Sequence, residues 1–139
     1  MARLIKKKIA FSRGKYKFNI ELKSPITIIL GNSSTGKTLF YNMLNEYSID
    51  KSIESFTFIN GLKNKGEVEA LLSIPNRINI IDNADIILNK PLSFYEKSNN
   101  QYIILGRMIE KYSLRNESIA VMVNKDNTFK LMYPMIAKE

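Results

Sequence analysis

The stretch Gly31-Asn32-Ser33-Ser34-Thr35-Gly36-Lys37-Thr38 fits the pattern G-x-x-x-x-G-K-[ST]. The two glycines allow backbone dihedrals and close approaches that a β-carbon would block. The amides between them can then form a concave site for an anion. In this pattern the lysine reaches β- and γ-phosphate oxygens, and the hydroxyl of the last residue binds Mg²⁺. The stretch therefore predicts a nucleotide-binding loop.

The residues on either side of the loop follow in the order that such a site needs. Residues 25–30, PITIIL, form a short β-branched apolar run that predicts a buried strand. After the loop, apolar residues recur at helical spacing; they are Leu39, Phe40, Met43, Leu44 and Tyr47. We therefore expect a helix opening at Lys37, whose N-terminal partial positive charge would also attract phosphate.

Composition limits the class of protein. The 139 residues are predicted to form a single domain. No apolar run approaches the ~20 residues that cross a bilayer, and the N-terminus lacks the apolar core of a signal peptide. The chain has no cysteine and no histidine, which excludes disulfides and removes the usual zinc and haem ligands. We expect a cytoplasmic protein without a membrane partner, and a hard cation that binds together with nucleotide.

The basic character belongs to the N-terminal segment. Residues 1–23 hold eight basic side chains and one acidic side chain, whereas the rest of the chain is nearly neutral. Alternation over residues 15–23 predicts a strand with one apolar face, and residues 4–11 would form the other arm of a hairpin around Ser12-Arg13-Gly14. Its lysines either protect an edge strand from further pairing or form a surface for nucleic acid or an acidic protein.

A second landmark is the sequence RINIID at residues 77–82, a branched apolar run that ends in Asp82. A buried parallel strand of this kind would place the carboxylate beside a metal bound to phosphate. Asn83-Ala84-Asp85 continues the segment as a D-x-x-D arrangement. We therefore expect Asp82 and Thr38 to hold Mg²⁺.

The same periodicities predict the remaining elements. They are strands over residues 54–60 and 101–105, a short helix over residues 67–73, and a hairpin with strands over residues 118–123 and 128–133. The chain is then one nucleotide-binding domain of residues 1–139. It divides into a basic hairpin (1–23), a nucleotide-binding core (24–107) and a C-terminal hairpin region (108–139).

The two motifs together resemble those of P-loop NTPases, where GNSSTGKT corresponds to Walker A and INIID to Walker B. The resemblance covers roughly residues 15–107. It is strongest to the branch with a strand inserted between the two motif strands, as in AAA-type and ABC/RecF-type ATPases. It implies an α/β fold with a mainly parallel P-loop NTPase sheet flanked by helices. An N-terminal antiparallel β-hairpin and a C-terminal β-hairpin would complete that fold.

The resemblance also implies roles for individual residues. Nucleotide would contact Gly31, Asn32, Ser33, Ser34, Thr35, Gly36, Lys37, Thr38 and Leu39. The Walker B aspartate of that branch is usually followed by a glutamate that polarises water, but this chain has Asn83 there, which cannot accept a proton. Asp85, another loop residue or a partner would then position water. Arg107 lies where such families often keep a phosphate sensor, and it is otherwise an ordinary surface arginine.

Some parts of those families are missing from the sequence. There is no LSGGQ-like signature and no separate helical lid domain. The first hypothesis is a small ATP-binding (or other NTP-binding) protein with Mg²⁺-dependent, slow or partner-stimulated hydrolysis. The alternatives are a non-catalytic nucleotide-binding regulator or inhibitor of a partner, and a nucleic-acid-associated ATPase of a mobile element. A nucleotide-dependent oligomer is left open.

Overall fold

Eight strands form one mixed sheet in the computed structural model, which describes residues 3–31, 36–64, 66–84, 99–106 and 118–133. In chain order the elements are β1 (Lys8–Arg13), β2 (Tyr16–Glu21), β3 (Ile26–Leu30), α1 (Lys37–Asp50), β4 (Phe56–Asn60), α2 (Val68–Leu72), β5 (Ile78–Asp82), β6 (Gln101–Gly106), β7 (Ile119–Lys125) and β8 (Thr128–Met132). These bounds lie close to the predicted ones, except for β1, which runs from Lys8 to Arg13 rather than over residues 4–11. The predicted turn at Ser12-Arg13-Gly14 is therefore wrong, because Arg13 still pairs with Tyr16 and the turn is at residues 14–15.

The strand order is β1-β2-β8-β7-β3-β6-β5-β4. Neighbours from β7 to β4 pair in parallel, so their carboxyl ends meet at one edge of the sheet. β6 lies between β3 and β5, with Ile28 opposite Ile104 and Ile80 opposite Ile103. The end of β3 and the end of β5 are therefore separated by a single strand.

The two predicted hairpins are present, and their strands join the same sheet. β1 pairs antiparallel with β2, and β7 pairs antiparallel with β8. The turn between β7 and β8 is Asp126–Asn127, and both residues have positive φ values of 52° and 63°, as a two-residue hairpin turn requires. β2 then pairs in parallel with β8, where Phe18 lies opposite Phe129.

The predicted fold class, a mainly parallel P-loop NTPase sheet flanked by helices, is wrong. Strands make up 45% of the described residues and helices 21%, and the sheet is mixed and curled. The two helices of the described residues do not form matching layers, because α2 has five residues and none of its side chains is buried.

The physical reason lies in the hairpins. The prediction attached them to a separate parallel core, whereas their strands belong to the main sheet. Four of the eight strands belong to hairpins, and turns of two residues leave no room for a crossover helix. The pairing of β2 with β8 merges these four strands with the parallel ones.

Helix α1 packs on the inner face of the curled sheet, where it contacts β1, β4 and β5. β1 and β4 are the two edge strands, so the sheet curves around the helix. The core on this side includes a row of stacked rings: Phe11 and Phe129 each lie 4.8 Å from Phe18 between ring centroids. Phe40 and Tyr47 of α1 pack on this row, at 5.7 Å from Phe18 and 4.9 Å from Phe11.

The opposite face of the parallel strands carries a smaller cluster of buried side chains. Its members include Ile28, Ile81, Tyr102 and Ile104, and α2 adds half-buried residues such as Leu71. No helix among the described residues is long and apolar enough to cross a lipid bilayer.

Replacing Phe18 by alanine tests the importance of the aromatic row. Phe18 is 2% exposed and touches rings from β1, β8 and α1. We expect Phe18→Ala to lower the free energy of unfolding by about 3–5 kcal/mol, because a large buried ring leaves a cavity. Urea denaturation measures this change.

Ile49→Ala is the matched control, because this α1 side chain is 68% exposed and its loss should change the free energy of unfolding by less than about 0.5 kcal/mol. Equal stability of the two variants would contradict the role given to the aromatic row.

Candidate nucleotide site

Thr38 and Asp82 meet at the carboxyl edge of the parallel strands, although they lie 44 residues apart. Thr38 lies in the first turn of α1, and Asp82 is the last residue of β5. The Thr38 Oγ1 donates a hydrogen bond to the Asp82 Oδ2 over 3.3 Å. Asp82 is only 4% exposed, whereas Thr38 is exposed. A hydroxyl and a buried carboxylate are thus placed side by side at the mouth of the predicted loop.

Lys37 lies at the C-terminal end of the predicted nucleotide-binding loop. Its Nζ donates a hydrogen bond to the carbonyl oxygen of Gly31, the residue that follows β3. The side chain is 7% exposed, although it begins α1. A cation at a helix N-terminus is unfavourable by itself, because that end of the helix carries a partial positive charge. A bound anion would therefore stabilise the buried ammonium group of Lys37 at this end of the helix.

Among the described residues, no side chain caps the N-terminus of α1. Gly36 precedes the helix with φ of 96°, and the first turn of the helix contains no acidic residue. The first amides of a helix need acceptors from elsewhere, and a phosphate group can supply them.

Gly36 is required for packing as well as for backbone conformation. A β-carbon at this position would lie 2.6 Å from Cε2 of Phe129 on β8. The left-handed conformation, with φ of 96°, also disfavours every residue that has a β-carbon. The C-terminal hairpin therefore supports the loop directly, which its position at the far end of the chain did not suggest.

Asn83 follows Asp82 in a tight backbone corner. It adopts a left-handed conformation with φ of 53°, and its amide donates to the Asp82 Oδ1 over 2.9 Å. The amide of Gly61 donates to the carbonyl oxygen of Asp82 over 2.8 Å. A β-carbon on Gly61 would approach the carbonyl oxygen of Asn83 to 2.2 Å. The ends of β4 and β5 thus hold the Asp82 carboxylate in place.

Tyr41 is a residue of this region that the sequence analysis missed. It lies on α1 one turn after Thr38, is 7% exposed, and packs edge-on against Phe58 of β4 with ring centroids 5.5 Å apart. Burial, together with the negative charge of Asp82, raises the pKa of Tyr41 to about 12. The sequence feature that could have identified Tyr41 is its position three residues after Thr38, which places both side chains on one face of the helix.

The remaining predicted residues differ in what the structure says about them. Leu39 lies in α1 and is half-buried against the core, so its side chain serves packing. The residues outside the described ranges are Asn32, Ser33, Ser34, Thr35, Asp85 and Arg107.

The oxygen atoms of Thr38 and Asp82 suit a hard cation such as Mg²⁺, which prefers oxygen ligands and usually keeps several waters. Among the described residues there is no cluster of three or more acidic side chains that would hold a metal without further ligands. A site with one carboxylate and one hydroxyl fits a cation whose other ligands are phosphate oxygens and water.

Comparison of the chain with protein-family models, with curated proteins and with solved structures finds no match. The resemblance to P-loop NTPases therefore depends on the two motifs, and the contacts among Gly31, Lys37, Thr38 and Asp82 are independent of it. These contacts are the basis for the proposed function.

Replacing Tyr41 by phenylalanine should change how stability depends on pH. The pKa of Tyr41 is raised from 10 to about 12 in the folded chain. The proton of Tyr41 therefore stabilises the folded chain below pH 10, and this contribution is lost as the pH rises toward 12. The variant lacks the titrating group, so its free energy of unfolding should fall less over this range, by about 2 kcal/mol.

Urea denaturation of both proteins at pH 9 and pH 11.5 measures the difference. Identical losses of stability in wild type and Tyr41→Phe would contradict the burial that raises the pKa of Tyr41.

Proposed function

We propose that the protein binds a nucleoside triphosphate with Mg²⁺, ATP in preference, and that it hydrolyses the nucleotide slowly when alone. The observation that supports this most directly is the 3.3 Å contact between Thr38 and Asp82, next to a buried Lys37. These three residue types at these positions match the phosphate- and metal-binding parts of the two motifs. ATP is preferred to GTP because the chain has no N-K-x-D motif.

In this proposal each residue has a separate task. Lys37 exchanges the Gly31 carbonyl for phosphate oxygens, and the first backbone amides of α1 donate to phosphate as well. Thr38 and Asp82 would hold Mg²⁺, which supplies charge neutralisation for phosphoryl transfer when it is bound. Burial of Asp82 favours such binding, because a cation satisfies a carboxylate that water hardly reaches.

Slow turnover is expected because Asn83 cannot remove a proton from water. The structure supplies a conformational reason for asparagine at this place, since φ is 53° there and asparagine tolerates the left-handed region better than glutamate does. Positioning and charge stabilisation carry most of phosphoryl-transfer catalysis, so some activity remains without a general base.

The strand order adds support from a second direction. β6 lies between β3 and β5, which is the order described for the branch of P-loop NTPases that the motifs resemble.

The second candidate function is a nucleotide-binding regulator without useful catalysis, and Asn83 favours it. A cytosolic location belongs to the proposal because the chain has no cysteine.

Replacing Lys37 by alanine should greatly weaken nucleotide binding. The variant loses the cation that faces the loop carbonyl, so its affinity for ATP with Mg²⁺ should fall at least about 100-fold, as expected when a charged contact worth roughly 3 kcal/mol is removed. Isothermal titration calorimetry measures the affinity, and circular dichroism confirms folding. Lys51→Ala, an exposed lysine at the other end of α1, is the control. Equal affinity of Lys37→Ala and wild type would overturn the proposal.

Turnover separates the weak enzyme from the regulator. We expect wild-type hydrolysis well below the ~1–100 s⁻¹ that is usual for phosphoryl transfer, and complete loss of metal-dependent activity in Asp82→Ala. Asn83→Glu should accelerate hydrolysis if water binds beside this residue, because a positioned base contributes about 10²–10⁴-fold. A phosphate-release assay measures all three proteins.

Asn83→Gly is the control for backbone strain, because glycine accepts φ of 53° without adding an acid. Acceleration in both Asn83 variants would point to backbone relaxation rather than to a base. Nucleotide binding without any turnover in wild type would favour the regulator, and rapid turnover of wild type alone would show that another residue is the base.

A further inference from the structure

The two hairpins share an exposed face on the side of the sheet opposite α1, which we call the hairpin face. Residues on this face alternate with the buried ones that pack toward α1. Its charged members are Lys8, Lys17, Glu21, Lys125 and Lys130, and all five are exposed. Lys8 lies opposite Glu21, so these two charges offset each other.

Pairing of β2 with β8 brings together lysines that are more than 100 residues apart in the chain. Lys17 lies opposite Thr128, and Thr128 lies opposite Lys125. In the next row Asn19 lies opposite Lys130. Two rows across three neighbouring strands thus carry three lysines and no acidic residue, over a width of about 10 Å.

The basic residues of the first 23 positions therefore do not act as one group. Arg13 points to the other side of the sheet and forms ion pairs with Glu46 at 2.9 Å and Asp50 at 2.5 Å, both on α1. Arg13 fixes the first hairpin to the helix. By contrast, Lys17, Lys125 and Lys130 form no ion pair with the described residues.

The chemistry of the hairpin face favours phosphate groups over an acidic protein. Lysine is depleted in protein–protein interfaces, whose main contributors are tyrosine, tryptophan and arginine. The aromatic rings of both hairpins are instead packed under α1, with Phe18 and Phe129 each no more than 3% exposed. Contacts to the sugar–phosphate backbone use lysine together with hydroxyl side chains, as in the row of Lys17 with Thr128.

We propose that the hairpin face binds the sugar–phosphate backbone of nucleic acid through Lys17, Lys125 and Lys130. Within the described ranges the face offers no helix that would enter a groove and no exposed ring on which a base would stack, so recognition is independent of sequence. The proposed nucleotide site lies at the carboxyl edge of the parallel strands, beside the start of α1, so this surface shares no residue with it.

Fluorescence anisotropy with a labelled 30-nucleotide DNA, as single strand and as duplex, tests the proposal between 50 and 300 mM salt. Wild type should bind more weakly as salt rises. The double variant Lys17→Gln/Lys130→Gln removes two charges from the face. It should weaken binding about tenfold at low salt and reduce the log–log slope by about 1.8 for duplex or about 1.4 for single strands.

Lys51→Gln/Lys63→Gln is the matched control, because it also removes two exposed lysines but lies off the face. It should leave the slope unchanged. Lys37→Ala should retain DNA binding, which separates this surface from the nucleotide site, and thermal melting confirms that each variant is folded.

Three outcomes would overturn the proposal. They are no salt-dependent binding of either DNA at 50 mM salt, equal losses in the two double variants, and tighter binding of poly-glutamate than of DNA. The last of these would assign the face to an acidic protein.

Discussion

The packing of α1 inside the curled sheet is the constraint on which the rest of the structure depends. The helix contacts both edge strands, β1 and β4, so the curvature of the sheet and the position of the helix determine each other. Stacked rings from three strands form the surface on which Phe40 and Tyr47 pack. Because α1 starts at the glycine-rich loop, this packing also positions Lys37 and Thr38.

The predicted nucleotide-binding loop packs against the C-terminal hairpin through β8. Phe129 on one face of this strand leaves no room for a β-carbon at Gly36, while Lys130 on the opposite face is exposed. A strand that supports the proposed nucleotide site from one side therefore carries part of the proposed nucleic-acid surface on the other. This proximity follows from alternation in a strand, since neighbouring side chains point to opposite faces.

The corner formed by Gly61, Asp82 and Asn83 shows how one residue serves two requirements. The motif would place a general base at this position, and Asn83 cannot act as one. The backbone requires a residue that accepts φ of 53° here, and Asn83 does so. The second requirement was not visible in the sequence, because it arises from the approach of the Asn83 carbonyl to Gly61 on the neighbouring strand. Tyr41 was missed for a related reason: it lies outside the predicted apolar stripe of α1, and only folding placed it near Asp82.

The sequence by itself determined the local elements. Alternation and helical spacing located β2 to β8 and both helices, because these periodicities follow from backbone geometry within a few residues. The glycine loop and the strand ending in Asp82 were likewise readable as motifs. Only the tertiary structure decided that the hairpins enter the main sheet and that Arg13 binds α1 while Lys17 lies near Lys130. It also decided that the sheet curls, and that the described residues do not place it between helix layers. The pairing of β2 with β8 joins strands about 110 residues apart. The spacing of residues within each strand does not determine which distant strand it will pair with.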